Sequence, residues 1–217
     1  MAVTTETFGT LKDGRKAHLF TISTSAGSSV TLTDFGAAVV KTIVPDGMGR
    51  LGDVALGFDE LGLYEQELGN FGAVCGRFAN RLSRASLPLD RRVYPLTRND
   101  GPNTLHGGAD SWDRRVWQCC AEGESAVFTL LSPDGDNGFP GSVKALVRYT
   151  VSGSELRIDF EGETDADTVF APTSHMYFNL RGQGSVLGMR MRIPARGGLE
   201  GGGALSPTGR GVRGGGE

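Results

Sequence analysis

The chain has 217 residues, 38% of them hydrophobic, with a formal charge of −3 and a pI near 5.7. That length suits one large all-β domain or two small ones, and the mild acidity argues against a nucleic-acid or anionic-membrane surface. The opening MAVTTETFGT lacks the basic-then-apolar order of a signal peptide, and no stretch approaches the ~20 apolar residues of a membrane span.

In chain order, Ala17–Ser23, Ser29–Thr33 and Gly36–Val44 read as strands, rich in Val, Thr and Ile and closed by Gly/Pro/Asp turns. His18 lies in the first of them. Asp59–Leu68 holds the one hint of helical spacing, read as a short helix. Gly76–Arg81 (GRFANR) follows, where Asn80 and Arg81 offer adjacent fixed donors, Arg81 with a rigid fork. Its plain alternative is a surface loop with exposed arginines. Asn99–Gly108 starts with Asp-Gly and Pro-Asn turn chemistry. It ends on His106-Gly107-Gly108, where two glycines would let a ligand approach the backbone. A histidine beside a flexible loop explains it equally well.

Trp112 and Trp117 are candidates for stacking on a sugar ring or for the core, and the core is the expectation for Trp117. Ala126–Leu131 reads as a strand before the turn cluster Ser132–Gly138. The acid spacing there suggests a calcium loop, but the closing Glu and flanking helices are missing, so that reading is rejected. Val143, Ala145, Val147, Tyr149 and Val151 alternate with polar positions, as do Leu156, Ile158 and Phe160. Together they predict a long antiparallel hairpin with one buried face. Thr173–Leu180 (TSHMYFNL), read as a strand, places His175, Tyr177 and Asn179 on one polar face and Met176, Phe178 and Leu180 on an apolar one.

Regular short strands without βαβ units predict an antiparallel β-sandwich. The body is expected over residues 1–194. From 197 to 217, ten of twenty-one residues are glycine, so 195–217 is expected to be a mobile Gly/Arg-rich tail. The three cysteines, Cys75, Cys119 and Cys120, are odd in number and two are adjacent. They read as reduced thiols in a cytoplasmic protein. No pair has ligand spacing, so no metal is expected.

Four segments in order, GRFANR, NDGPNTLHGG, SPDGDNGFPG and TSHMYFNL, resemble the motifs of the aldose 1-epimerase (galactose mutarotase) family. The similarity runs from the N-terminus to Pro194, and Ala204–Gly209 looks like a worn copy of a later family stretch. The resemblance implies a large antiparallel β-sandwich, here incomplete at its C-terminal end. It implies interconversion of the α and β anomers of a hexose, galactose or glucose, with no cofactor and no nucleic-acid or membrane partner. By that resemblance His175 is the acid that protonates the ring oxygen. Asn80, Arg81, His106 and Tyr177 match substrate-binding positions. The family's base is a glutamate that no position here matches, since Glu200 and Glu217 stand in the wrong context. Two alternatives follow: a non-catalytic sugar-binding relative or inactive truncated product, and an epimerase of hexose-6-phosphates using Arg77, Arg84, Arg91 and Arg92. Neither the preferred hexose nor the oligomeric state is legible.

Overall fold

The structure, a computed structural model, describes residues 2–66, 68–202 and 207–213. Two antiparallel sheets make its body. The first is a five-stranded meander of β1 (Ala2–Thr10), β2 (Lys16–Ser23), β3 (Ser29–Thr33), β4 (Ala38–Pro45) and β5 (Leu51–Asp53), in spatial order of sequence. A single helical turn, α1 (Leu61–Tyr64), follows, then four short strands: β6 (Val74–Cys75), β7 (Arg81–Leu82), β8 (Ser86–Leu89) and β9 (Arg92–Pro95). After β10 (Thr104–Leu105) comes the second sheet, the meander β11 (Gln118–Glu122), β12 (Ser125–Ser132), β13 (Val143–Ser152) and β14 (Glu155–Thr164). The chain finishes with β15 (Thr173–Ser174), β16 (Gly197–Gly201) and β17 (Pro207–Arg213). No described helix is long and apolar enough to cross a membrane.

The sheets face each other because period-2 alternation leaves each with one apolar side. Phe20, Ile22, Val30, Leu32 and Val39 of the first sheet meet Phe128, Val143, Val147 and Tyr149 of the second in one cluster. Phe20 and Phe128 pack edge-on, centroids 5.5 Å apart. Tyr149, fully buried, donates its hydroxyl to the carbonyl of Ala37 at 2.7 Å, which ties the sheets by a polar bond inside the core. The expected β-sandwich is thus present, and the alternation of Val143 to Val151 buries the residues read as inward.

Some element readings change. The third strand begins at Ala38, because Gly36 and Ala37 take left-handed φ of 72° and 46° to turn the chain. The helix expected over 59–68 shrinks to the one turn of α1: Glu60 makes no side-chain cap bond and Gly62 weakens the interior. Leu61, buried against Phe8 and Phe35, holds that turn down. The Gly/Arg-rich tail pairs with itself, β16 against β17, as a hairpin exposed at all but Glu200 in its strands. The worn family stretch at 204–209 lies outside the described residues up to Ser206.

The largest correction concerns Arg77. It is 1% exposed and no ligand-facing cation. Its Nη1 donates to the carbonyls of Pro140 and Gly141, both at 2.8 Å, and to Thr168 Oγ1 at 3.2 Å. Its Nη2 donates to the carbonyls of Ser132 and Pro133 at 3.2 and 3.0 Å and to Ser132 Oγ at 2.9 Å. One guanidinium therefore gathers both ends of the Ser132–Gly141 loop, a task for a planar fork and not for a point charge. Burial pushes its pKa down. The same loop is locked on its other side by Asp136, which receives both guanidinium nitrogens of Arg115 at 2.8 and 2.6 Å as well as the Ser132 hydroxyl. Burial alone would raise the Asp136 pKa. The bonds from Arg115 and Ser132 outweigh it and bring the value down.

Arg77→Lys should lower unfolding stability by about 3 kcal/mol, since an ammonium cannot serve both carbonyl sets and leaves buried acceptors unpaired. Urea unfolding of the two proteins measures this; a difference within about 0.5 kcal/mol would contradict the role given to Arg77.

Candidate active site

The segments singled out in the sequence converge through backbone pairing. β7 and β10 pair antiparallel, Leu105 opposite Arg81 and Thr104 opposite Leu82, which lays GRFANR beside NTLHGG. β15 pairs with β6, Thr173 opposite Cys75, so the start of TSHMYFNL adjoins the strand that leads into GRFANR. All three segments end on one face of the molecule.

Asn80 and His106 form the joint. Both are left-handed, at φ 66° and 53°, a conformation that needs outside support for a side chain other than Gly. The support is mutual: His106 donates its backbone N–H to the Asn80 carbonyl at 3.0 Å, and Asn80 N–H donates to His106 Nδ1 at 3.0 Å. An accepting Nδ1 carries no proton, so His106 is the Nε2–H tautomer and offers that N–H outward. Burial, and then the neighbouring His175, push the His106 pKa down, which agrees with a neutral ring.

Arg81 donates Nε to Asp100 Oδ2 at 2.7 Å, while its backbone N–H is accepted by Asn80 Oδ1 at 2.9 Å. The hydrogen bond from Arg81 holds the Asp100 carboxyl below its usual range. Asn99 fixes the LHGG backbone from both sides: Oδ1 accepts Leu105 N–H at 2.7 Å, and Nδ2 donates to the Leu105 and Gly108 carbonyls at 2.9 and 3.1 Å.

His175 meets His106 edge-on, centroids 5.1 Å apart and planes at 90°. Tyr177 packs on the other side of His175 at 5.0 Å, and Phe71 on Tyr177 at 4.9 Å. Phe58 continues the row at 5.0 Å from Phe71. The row of rings that ends at the histidines is therefore mounted on aromatics that join the helical turn α1, since Tyr64 lies 5.3 Å from Phe58. Among the described residues the His175 ring makes ring contacts only and no hydrogen bond.

All five residues proposed from sequence, Asn80, Arg81, His106, His175 and Tyr177, thus lie on one connected patch. Tyr177 is 40% exposed and Asn80 is exposed. A cleft of about 300 Å³ opens beside His106, lined also by Asn70, Asn99, Asp113 and Arg114. Of the five it is lined by His106 alone; Asn80 and Tyr177 are exposed, and Arg81 and His175 are half-buried.

Several readings are corrected. Thr173–Leu180 is a strand only at Thr173–Ser174. Beyond them the backbone is stitched to two different segments: His175 to Ala73 and Gly72, then Tyr177 to Leu56 and Asn179 to Val54. His175 and Tyr177 keep their shared side. Asn179 leaves it, 8% exposed, donating Nδ2 to the Gly184 carbonyl and accepting Arg181 N–H. Phe178 and Leu180, expected to anchor, are 49% and 69% exposed. Gly107 and Gly108 make room for protein, not ligand. A Cβ on Gly107 would stand 1.8 Å from the Gly76 carbonyl, and one on Gly108 2.3 Å from Thr97 Oγ1. Trp112 joins Trp117 in the core, 1% and 2% exposed. Asn99, Asp100 and Phe71 act on the site but escaped the sequence reading. Asp100 and Asn99 sat in what read as a turn, and Phe71 in a stretch with no pattern.

A family profile described as aldose 1-epimerase matches residues 18–216. The galactose mutarotase of Bos taurus is 37% identical over 156 residues, which are 72% of this chain and 46% of the relative. The aldose 1-epimerase of Escherichia coli is 33% identical over 182 residues, 83% of this chain and 53% of the relative. Among solved structures, an aldose epimerase homologue from C. elegans superposes with a TM-score of 0.85 at 32% identity, covering 90% of this chain and 61% of that one. The chain spans about half the length of the curated relatives it matches.

Protonating Nδ1 of His106 would break the bond from Asn80, so folding favours the neutral ring. Its contribution to stability should be fully present above the unfolded-state pKa of about 6.5 and be lost as pH falls through the depressed folded-state value. Imidazole nitrogen NMR should show Nε2–H at His106 and a midpoint below 6.5; a proton on Nδ1, or a midpoint at or above that value, would contradict the assignment.

Proposed function

The chain belongs to the aldose 1-epimerase family, and we propose that its His106/His175 face binds a free aldohexose, galactose or glucose, for interconversion of the α and β anomers. One observation carries this reading: three segments far apart in sequence bring His106 and His175 edge-on at 5.1 Å, with Asn80, Arg81 and Tyr177 around them.

The roles follow from the contacts. His106, neutral and with Nδ1 occupied by Asn80, donates Nε2–H to a sugar hydroxyl. Arg81, aligned by Asp100, points its remaining N–H groups at another. Tyr177, backed by Phe71, supplies an apolar wall beside a hydroxyl. His175, with no hydrogen bond on its ring among the described residues, is the group left to move a proton, since an imidazole can both give and take one. In the reaction His175 gives its proton to the ring oxygen as the C1–O5 bond breaks. A general base takes the proton from the C1 hydroxyl, and the open-chain aldehyde forms. Rotation about C1–C2 and reclosure from the other face return the O5 proton to His175, while the base gives its proton back to O1, and the other anomer results.

A second reading is sugar binding without turnover. It is favoured by the commitments of the nearby carboxylates: Asp100 is held charged by Arg81 at 2.7 Å, and Asp113, which lines the cleft beside His106, accepts from Asn70 and Ser111.

Proton NMR of freshly dissolved α-D-galactose separates these. Anomerisation by a folded chain should accelerate, and His175→Ala should remove about 10²- to 10⁴-fold of the acceleration. Binding without acceleration would establish the second reading instead, and a folded chain that neither binds nor accelerates would contradict both.

A further inference from the structure

His106 faces two spaces. Its ring meets His175 edge-on, and it also lines a cleft with Tyr64, Asn70, Leu105, Ala109 and Asp113. Asp113 is the charged acceptor of that cleft. Its Oδ2 accepts Asn70 Nδ2–H at 2.8 Å, and its Oδ1 accepts the Ser111 hydroxyl. An ionised carboxylate has about four acceptor sites, so the two donors fix its plane and leave capacity for a further hydroxyl. Burial and His175 lower the His106 pKa, and of the two carboxylates that raise it Asp113 acts more strongly than Asp100. The carboxylate therefore stands near the histidine that holds the sugar.

Its mount is rigid. Asp113 lies in the 3₁₀ turn Trp112–Arg114. Trp112 on one side is 1% exposed in the core, and the Arg115 carbonyl on the other accepts Gly36 N–H at 2.8 Å. The Asp113 carbonyl packs so close on Gly36 that a Cβ there would stand 2.5 Å from it. Asn70 adjoins Phe71, the ring that backs Tyr177, so one short segment steadies both the carboxylate and the far wall of the site. A group held this firmly can read a hydroxyl by its position.

One part of an aldohexose suits such a cleft. His175 serves O5, and His106 and Arg81 each take a hydroxyl. C5, bonded to O5, carries the exocyclic CH2OH arm. Among the substituents of a pyranose ring this arm alone adds a carbon and a rotatable C–C bond, so it alone can turn past His106 into a side cleft. Leu105, Ala109 and Tyr64 offer apolar wall to its methylene, and Asp113 offers an acceptor to its hydroxyl. Tyr64 is fixed there by Phe58, whose N–H donates to the phenol oxygen at 3.0 Å.

We propose that Asp113 is a specificity-determining residue, its carboxylate accepting the C6 hydroxyl of the sugar inside the cleft beside His106. The inference rests on the sugar reading of the His106/His175 face. It makes the site selective for aldohexoses over sugars that keep the ring and lack that hydroxyl, because such a sugar leaves the carboxylate without its partner.

NMR titration of the 217-residue chain with D-galactose and with D-fucose, which is 6-deoxy-D-galactose, tests it. D-Fucose should bind about 10- to 100-fold more weakly, the range of one hydrogen bond to a charged group. In Asp113→Ala the two sugars should bind within about three-fold of each other, with D-fucose close to its wild-type affinity. Equal affinity of the wild-type chain for both sugars, a comparison that needs no variant, would overturn the proposal and leave the sugar reading standing. So would a folded variant that weakens both sugars alike, the mark of a structural role, or one that keeps the preference for galactose. A folded wild-type chain that binds neither sugar would overturn the proposal together with the sugar reading. Circular dichroism shows that each protein is folded before it is scored.

Discussion

The guanidinium of Arg77 is the constraint on which the site depends. Arg77 stands between Gly76 and Phe78 in the segment that delivers Asn80 and Arg81, yet its side chain points the other way, into the carbonyls of residues 132–141. A buried cation is tolerated only when hydrogen bonds replace its water, and here six acceptors do so. The loop it gathers then reaches the histidine segment. Asn137 accepts Thr97 at its carbonyl and side chain and donates to the Asp110 carbonyl. The loop read as a turn cluster is therefore the joint between the sandwich and the site-bearing strands.

From that joint the site inherits its electrostatics. His106 is held in a left-handed turn by Asn80, and the same bond decides its tautomer. Arg81 is aimed by Asp100. His175 has no such tether; its position comes from backbone bonds to Gly72 and Ala73 and from the rings on either side. Two histidines 5.1 Å apart thus differ in freedom. One is locked as a donor by the bond from Asn80, and the other has no hydrogen bond on its ring among the described residues. A division of that kind lets two like groups hold different roles in one site.

The sandwich was legible because its strands obey a period of two. Val143, Ala145, Val147, Tyr149 and Val151 all point inward as their spacing requires. The candidate site residues stood out because His, Asn and Arg lay in glycine-rich surroundings and the four motifs resembled those of one family, and the structure brings those candidates together. What stayed hidden was long-range pairing. Nothing local in Arg77 separates a buried fork from an exposed one; only the arrival of Ser132 and Pro140 from 55 and 63 residues away decides it. Gly107 gave the opposite error. Its lack of a side chain read as space for a ligand, whereas the Gly76 carbonyl occupies that space. Likewise Phe178 was expected to anchor by alternation, but the segment leaves strand geometry after Ser174 and Phe178 bridges to Ala55 half-exposed.

The central claim is that His106 and His175 form one sugar site. A galactose titration followed at both imidazoles by nitrogen-detected NMR tests it most directly. The account predicts that the two rings respond together, with one dissociation constant, while His106 keeps its proton on Nε2. Galactose binding that moves neither ring, or moves them with separate constants, would contradict it.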